Sequence, residues 1–104
     1  MKVRWTDPAQ TDLFEILDYI ARDNSVAAER VERRLVDAVA SLAQQPRRGR
    51  PGRIEGTREL VIARLPYIVI YRIVERSLRT AGEIAILRVL HGARRWPSNA
   101  RGQA

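Results

Sequence analysis

The sequence contains no cysteine and one histidine, His91. The first absence excludes a disulfide framework and thiolate metal sites, and a single imidazole leaves an all-protein transition-metal centre short of ligands. No metal and no cofactor are expected. Long apolar runs are missing as well: stretches such as "LPYIVIY" fall far short of the roughly 18–20 residues that cross a bilayer. The opening "MKVRWTDPAQ" has no apolar core of a signal peptide. The expectation is therefore a cytoplasmic protein with no membrane partner. Aromatic residues number six, and lysine is represented by Lys2 alone.

What the chain has instead is arginine, 18 of its 19 basic residues, with a net charge of +7 and an isoelectric point of about 11.2. Residues 1–45 carry six basic side chains against eight acidic ones, whereas residues 46–104 carry thirteen against four. The second-half cations are expected to form one docking face for an anionic chain, because planar guanidinium forks hold phosphates and carboxylates in bidentate fashion. A GC-rich genome would account for arginine replacing lysine, but not for the asymmetry between halves. At 104 residues, 45% apolar and 30% charged, the composition is that of one soluble globular domain with a single core. That domain is expected over residues 1–97, with a flexible basic tail over 98–104.

"KVRW" alternates polar and apolar residues and predicts a short first strand. A helix follows, with Asp7 as N-cap, Pro8 at its first position, and Ala9, Leu13, Ile16, Leu17 and Ile20 on one face. Asn24 or Ser25 caps a second helix, whose stripe is Ala28, Val31, Leu35, Ala38, Val39 and Leu42, and Pro46 ends it at about Gln45. "RRGRPGRIEGTR" reads as a loop, and "RELVIAR", "YIVIYRIV" and "EIAILRVLH" as an antiparallel meander. The order β-α-α-β-β-β predicts an α+β two-layer sandwich, a helical hairpin packed on a small, mainly antiparallel four-stranded sheet. In the third strand Tyr67, Val69, Tyr71 and Ile73 share one face and Ile68, Ile70 and Arg72 the other. Both faces are largely apolar, so the second is expected to be covered or offered to a partner. An open edge of the sheet can likewise accept an added strand.

The element order, "DLFEILDYI" in the first helix, and "GTREL", "PYIVIYRI" and "ILRVLHGARR" in this sequence and spacing together resemble the RelE/ParE toxins of type II toxin-antitoxin modules over about residues 2–97. The resemblance implies a growth-inhibiting protein neutralised by a cognate acidic antitoxin. RelE-type members cut messenger RNA on the ribosome with lysines in the second strand, an arginine directly after the tyrosine opening the third, an arginine just past the fourth, and a tyrosine near the C-terminus. Here the second strand holds no lysine, Ile68 follows Tyr67, no tyrosine lies beyond Tyr71, and Arg94 alone matches. ParE-type members poison DNA gyrase by binding it, which requires a surface and no catalytic group. The resemblance thus favours a ParE-like gyrase inhibitor without a small-molecule substrate, the alternative being a ribosome-dependent mRNA endoribonuclease. A third reading, a non-toxic basic nucleic-acid-binding module, is disfavoured by the lack of a recognised binding motif and the scarcity of aromatics.

Cleavage through a 2′-hydroxyl needs a base, a cation for the pentacovalent phosphate and an acid for the leaving oxygen. His91 and Arg94 are the catalytic candidates, since histidine titrates at about 6.5 in water. Beside that role stand a structural one, the imidazole of a strand end bonding a nearby carbonyl, and a contact with a partner. Arg58, Arg64, Arg72, Arg88, Arg94, Arg95 and Trp96 are candidates for target or phosphate binding. Trp96 could serve by stacking on a base or by closing the end of the core. Arg47, Arg48, Arg50 and Arg53 are candidates for meeting antitoxin carboxylates, or are solvated surface.

Overall fold

The computed structural model describes residues 1–92. The chain leaves its first strand, β1 (Lys2–Trp5), through Thr6, whose hydroxyl donates to the Ile86 carbonyl at 2.7 Å and accepts from the Ala9 amide at 3.3 Å. Thr6 is therefore the N-cap of helix α1 (Asp7–Asp23), and Asp7 sits one residue inside, adding its negative charge to the first turn. The expected cap was Asp7. Thr6 takes the place because only its side chain also bonds the strand alongside. Asn24 closes α1 and caps α2 (Ser25–Ala40), accepting from the Ala27 amide at 3.0 Å. The second helix stops short of the expected Gln45: the Ser41 hydroxyl back-bonds to the Ala38 carbonyl at 2.6 Å, and the chain tightens into a 3₁₀ turn over Ser41–Ala43.

The sheet has the order β1-β5-β4-β3-β2, where β2 is Arg50–Pro51, β3 Arg58–Val61, β4 Tyr67–Val74 and β5 Glu83–His91. Strand β1 runs parallel to β5 and the other pairs are antiparallel. The two-layer α+β sandwich and its helical hairpin are as the sequence predicts, but the sheet gains a fifth strand from the segment expected to be loop. Strand β3 is also shorter than "RELVIAR". Its partner β4 is entered through Pro66, which has no N–H to donate, and the turn places Arg64 at φ 66.

Between Tyr71↔Ile86 and Ile70↔Arg88 the β4–β5 register steps by one residue, leaving Leu87 as a bulge. The core lies between helices and sheet, where Ala9, Leu35, Val39 and Leu42 meet Leu60, Val69, Tyr71, Ile84, Ile86 and Val89. Burying each large side chain contributes about 1.5–3 kcal/mol. Tyr67 and Ile73 pack against the same core, so the predicted face of β4 is the inner one. Ile70, Ala85 and Leu90, of opposite parity, are buried too.

Candidate functional site

Five arginines gather where residues 47–58 fold along the edge of the sheet. At their centre is Glu59, 3% exposed, which accepts from Arg50 Nη2 at 3.2 Å on one oxygen and from the Arg53 backbone amide at 3.0 Å on the other. The fully buried Tyr71 donates its hydroxyl to the Pro46 carbonyl at 2.6 Å and accepts from the Gly49 amide at 2.9 Å. Arg58 donates Nε to the Gly49 carbonyl at 2.8 Å and Nη2 to that of Arg47 at 3.2 Å. Arg48 reaches the Ser41 hydroxyl, and Arg47 pairs with Glu75 at 3.3 Å. Gly49 is required here, since a Cβ would stand 2.8 Å from the Tyr71 ring. The backbone is thus fixed from below while Arg47, Arg48, Arg50 and Arg53 remain exposed. A cationic surface already ordered loses less conformational entropy on binding an anionic chain.

A second construction joins α1 to β5. Strand β1 stops pairing at Trp5↔Ile86, so among the described residues no strand lies beside the edge of β5 beyond that point. Asp12 of α1 fills the gap: it accepts from the Val89 amide at 2.9 Å and from Arg88 Nε and Nη2 at 2.7 and 2.9 Å. The hydrogen bonds to Asp12 push the Arg88 guanidinium above its usual range against the opposing effect of burial, and the charges of Asp12 and Glu15 add to the rise. Two nitrogens of Arg88 are therefore committed to a carboxylate.

Next to this clamp, a cavity of about 270 Å³ is lined by Asp12, Glu15, Ile16, Tyr19, Tyr67, Val89 and His91. Tyr67 and His91 meet edge to face, with ring centroids 5.9 Å apart at 84°. Burial, and then the neighbouring Tyr19, raise the Tyr67 hydroxyl above its usual 10.0. The imidazole thus shares its cavity with carboxylates and phenols, and the Arg88 guanidinium, three residues before it, is held by Asp12. Among the described residues no group of three or more potential metal ligands comes together. A third feature is an apolar groove of about 460 Å³ between the helices, walled by Trp5, Leu13, Phe14, Leu17 and Val36 with Gln10 and Glu32 at its margin. Phe14 is 68% and Val36 40% exposed.

The expected site residues divide accordingly. The antitoxin set of Arg47, Arg48, Arg50 and Arg53 is brought together, and Arg58 belongs with it through its bonds to the same loop. Arg88 stands on the Asp12 clamp, and Arg64 in the β3–β4 turn. Arg72 lies exposed in register with Ala85, which in turn lies beside Arg4. Arg94, Arg95, Trp96 and the tail over 98–104 lie outside the described residues. Sequence reasoning missed Asp12, Glu59 and the hydroxyl of Tyr71 as organisers. For Asp12 a signal existed: it lies three residues after Ala9 within the apolar stripe of α1, where a carboxylate needs a partner.

Residues 3–96 match the family profile described as ParE toxin of type II toxin-antitoxin system, parDE. The chain is 46% identical over 96 residues to the candidate toxin Y4kP of Sinorhizobium fredii, covering 92% of this chain and 93% of that protein. It is 39% identical over 93 residues to the toxin RelE2 of Caulobacter vibrioides, covering 89% and 97%. Among solved structures, it superposes on a chain of the chromosomal ParDE system from P. aeruginosa with TM-score 0.74 and 30% identity, covering 88% of this chain and 95% of that one. No helix among the described residues is long and apolar enough to cross a membrane.

Proposed function

This chain belongs to the ParE toxin family of type II toxin-antitoxin systems, and from that premise we propose that it arrests growth by binding DNA gyrase and cuts no nucleic acid. The observation that carries the reading is the state of the strand-end residues a ribonuclease would use. Ile68 follows Tyr67, no lysine stands in β3, the Arg88 fork is bound to Asp12, and His91 faces Tyr67 and a carboxylate-lined cavity. Stabilising a pentacovalent phosphate needs a cation, and among the described residues the arginine on the same strand, Arg88, is committed to Asp12. A binding inhibitor has no such requirement.

Neutralisation follows from the same surfaces. An acidic antitoxin segment, disordered when alone, lays an amphipathic stretch into the groove of Trp5, Leu13, Phe14, Leu17 and Val36, and its carboxylates meet Arg47, Arg48, Arg50 and Arg53. The kinship with a protein named RelE2 favours a second reading, ribosome-dependent mRNA cleavage with Arg94 and His91. Induction in a host lacking the antitoxin separates the two. The proposal expects growth arrest with filamentation and intact transcripts, and primer extension showing codon-positioned cuts during arrest would establish the second reading instead.

A further inference from the structure

We propose that the cavity between α1, the start of β4 and the end of β5 is a recognition site for the arginine or lysine side chain of a protein partner. Its walls suit such a group and little else. The charge of Asp12 is answered by Arg88 through two hydrogen bonds, whereas the exposed Glu15 makes no ion pair among the described residues. Among the described residues one formal negative charge is left at the cavity. Tyr19, Tyr67 and His91 supply aromatic rings, and Ile16 and Val89 an apolar floor. A long basic side chain fits this combination: its methylene stem lies against the floor, its cation reaches the ring faces, and Glu15 completes the charge.

The wider surface points the same way. Helix α1 carries five acidic residues against Arg22 alone, and Arg22 is paired with Asp18 at 2.9 Å. On a chain of net charge +7, the cavity side of this helix, where Asp12 and Glu15 lie, attracts a basic group. Among the described residues an anionic ligand finds no uncommitted arginine or lysine here, since Arg88 is held by Asp12. The site therefore differs in sign from the arginine loop, and it does not depend on gyrase being the target.

The test is an NMR titration of the full chain with acetyl-Ala-Arg-Ala-amide, the same peptide carrying citrulline, and agmatine. The proposal expects the side-chain signals of Tyr19, Tyr67 and His91 to move together along one saturating curve, with the citrulline peptide at least tenfold weaker. Glu15→Gln should weaken the arginine peptide by about tenfold, equivalent to about 1.4 kcal/mol, and Tyr19→Ser by a few-fold. Both residues are exposed, so unchanged strand signals will show that the fold is kept. Equal binding of the citrulline peptide, indifference to Glu15→Gln, or shifts confined to other surfaces would overturn the proposal. Agmatine binding more than tenfold tighter than the peptide would also overturn it, by marking a site for small amines.

Discussion

Removing the Asp12 carboxylate tests whether the edge of β5 is closed by a helix side chain. In Asp12→Ala the Val89 amide loses its acceptor and Arg88 loses both its hydrogen bonds to the carboxylate. An unpaired buried N–H costs about 1–3 kcal/mol. Breaking a fully buried ion pair costs about 3–5 kcal/mol, but the Arg88 side chain is 31% exposed and water recovers part of that, leaving about 2 kcal/mol. Together the loss is about 3–5 kcal/mol, a large share of the roughly 5–15 kcal/mol that holds a domain of this kind. A thermal midpoint lowered by about 15 °C or more is expected. Urea denaturation followed by circular dichroism measures the free energy directly. Asp12→Asn keeps an acceptor for Val89 and should lose about half as much. The double replacement Asp12→Leu with Arg88→Met, which removes both charges, should recover most of the loss. A cost under about 1 kcal/mol for Asp12→Ala, at unchanged denaturant slope, would refute the reasoning.

Other outcomes follow from the remaining surfaces. Tyr71→Phe strips two hydrogen bonds from residues 46–49 and should cost about 1.5–3 kcal/mol, with amide exchange at Gly49 accelerating before the strands are affected. Because folding raises the Tyr67 hydroxyl above 10.0, mainly through burial, its contribution is fully present below about pH 10 and is lost as pH rises through the folded value. Urea unfolding across that range should show stability falling, and Tyr67→Phe should remove that part of the slope. His91→Ala should leave growth arrest intact in an induction assay, and loss of arrest in a variant that folds normally would point to acid/base chemistry. Phe14→Asp, in the apolar groove, should weaken antitoxin binding at least 100-fold by calorimetry while the toxin still arrests growth.

The elements whose signals are local were legible in the sequence. Strands β4 and β5 follow the β-branched runs residue for residue, and the helices begin at hydroxyl or amide side chains next to apolar stripes. What failed to show were pairings between distant residues. Strand β2 has two residues, one of them Pro51, and exists because Glu59 and Tyr71 hold the surrounding loop, a relation invisible in a stretch with no apolar periodicity. Thr6 displaced Asp7 as cap through a bond to Ile86, 80 positions away. The charge count likewise drew attention to the second half as one surface. Folding gathers the arginines of the loop but sets Arg88 against an aspartate from the first helix, which the net charge of either half could not reveal.

The central claim, a toxin that acts by occupying gyrase, is tested most directly by adding the purified full chain to gyrase and following supercoiling of relaxed plasmid. The account expects inhibition to rise with toxin concentration, to be relieved by the cognate antitoxin, and to survive His91→Ala. Full supercoiling activity at toxin concentrations well above that of gyrase would contradict it.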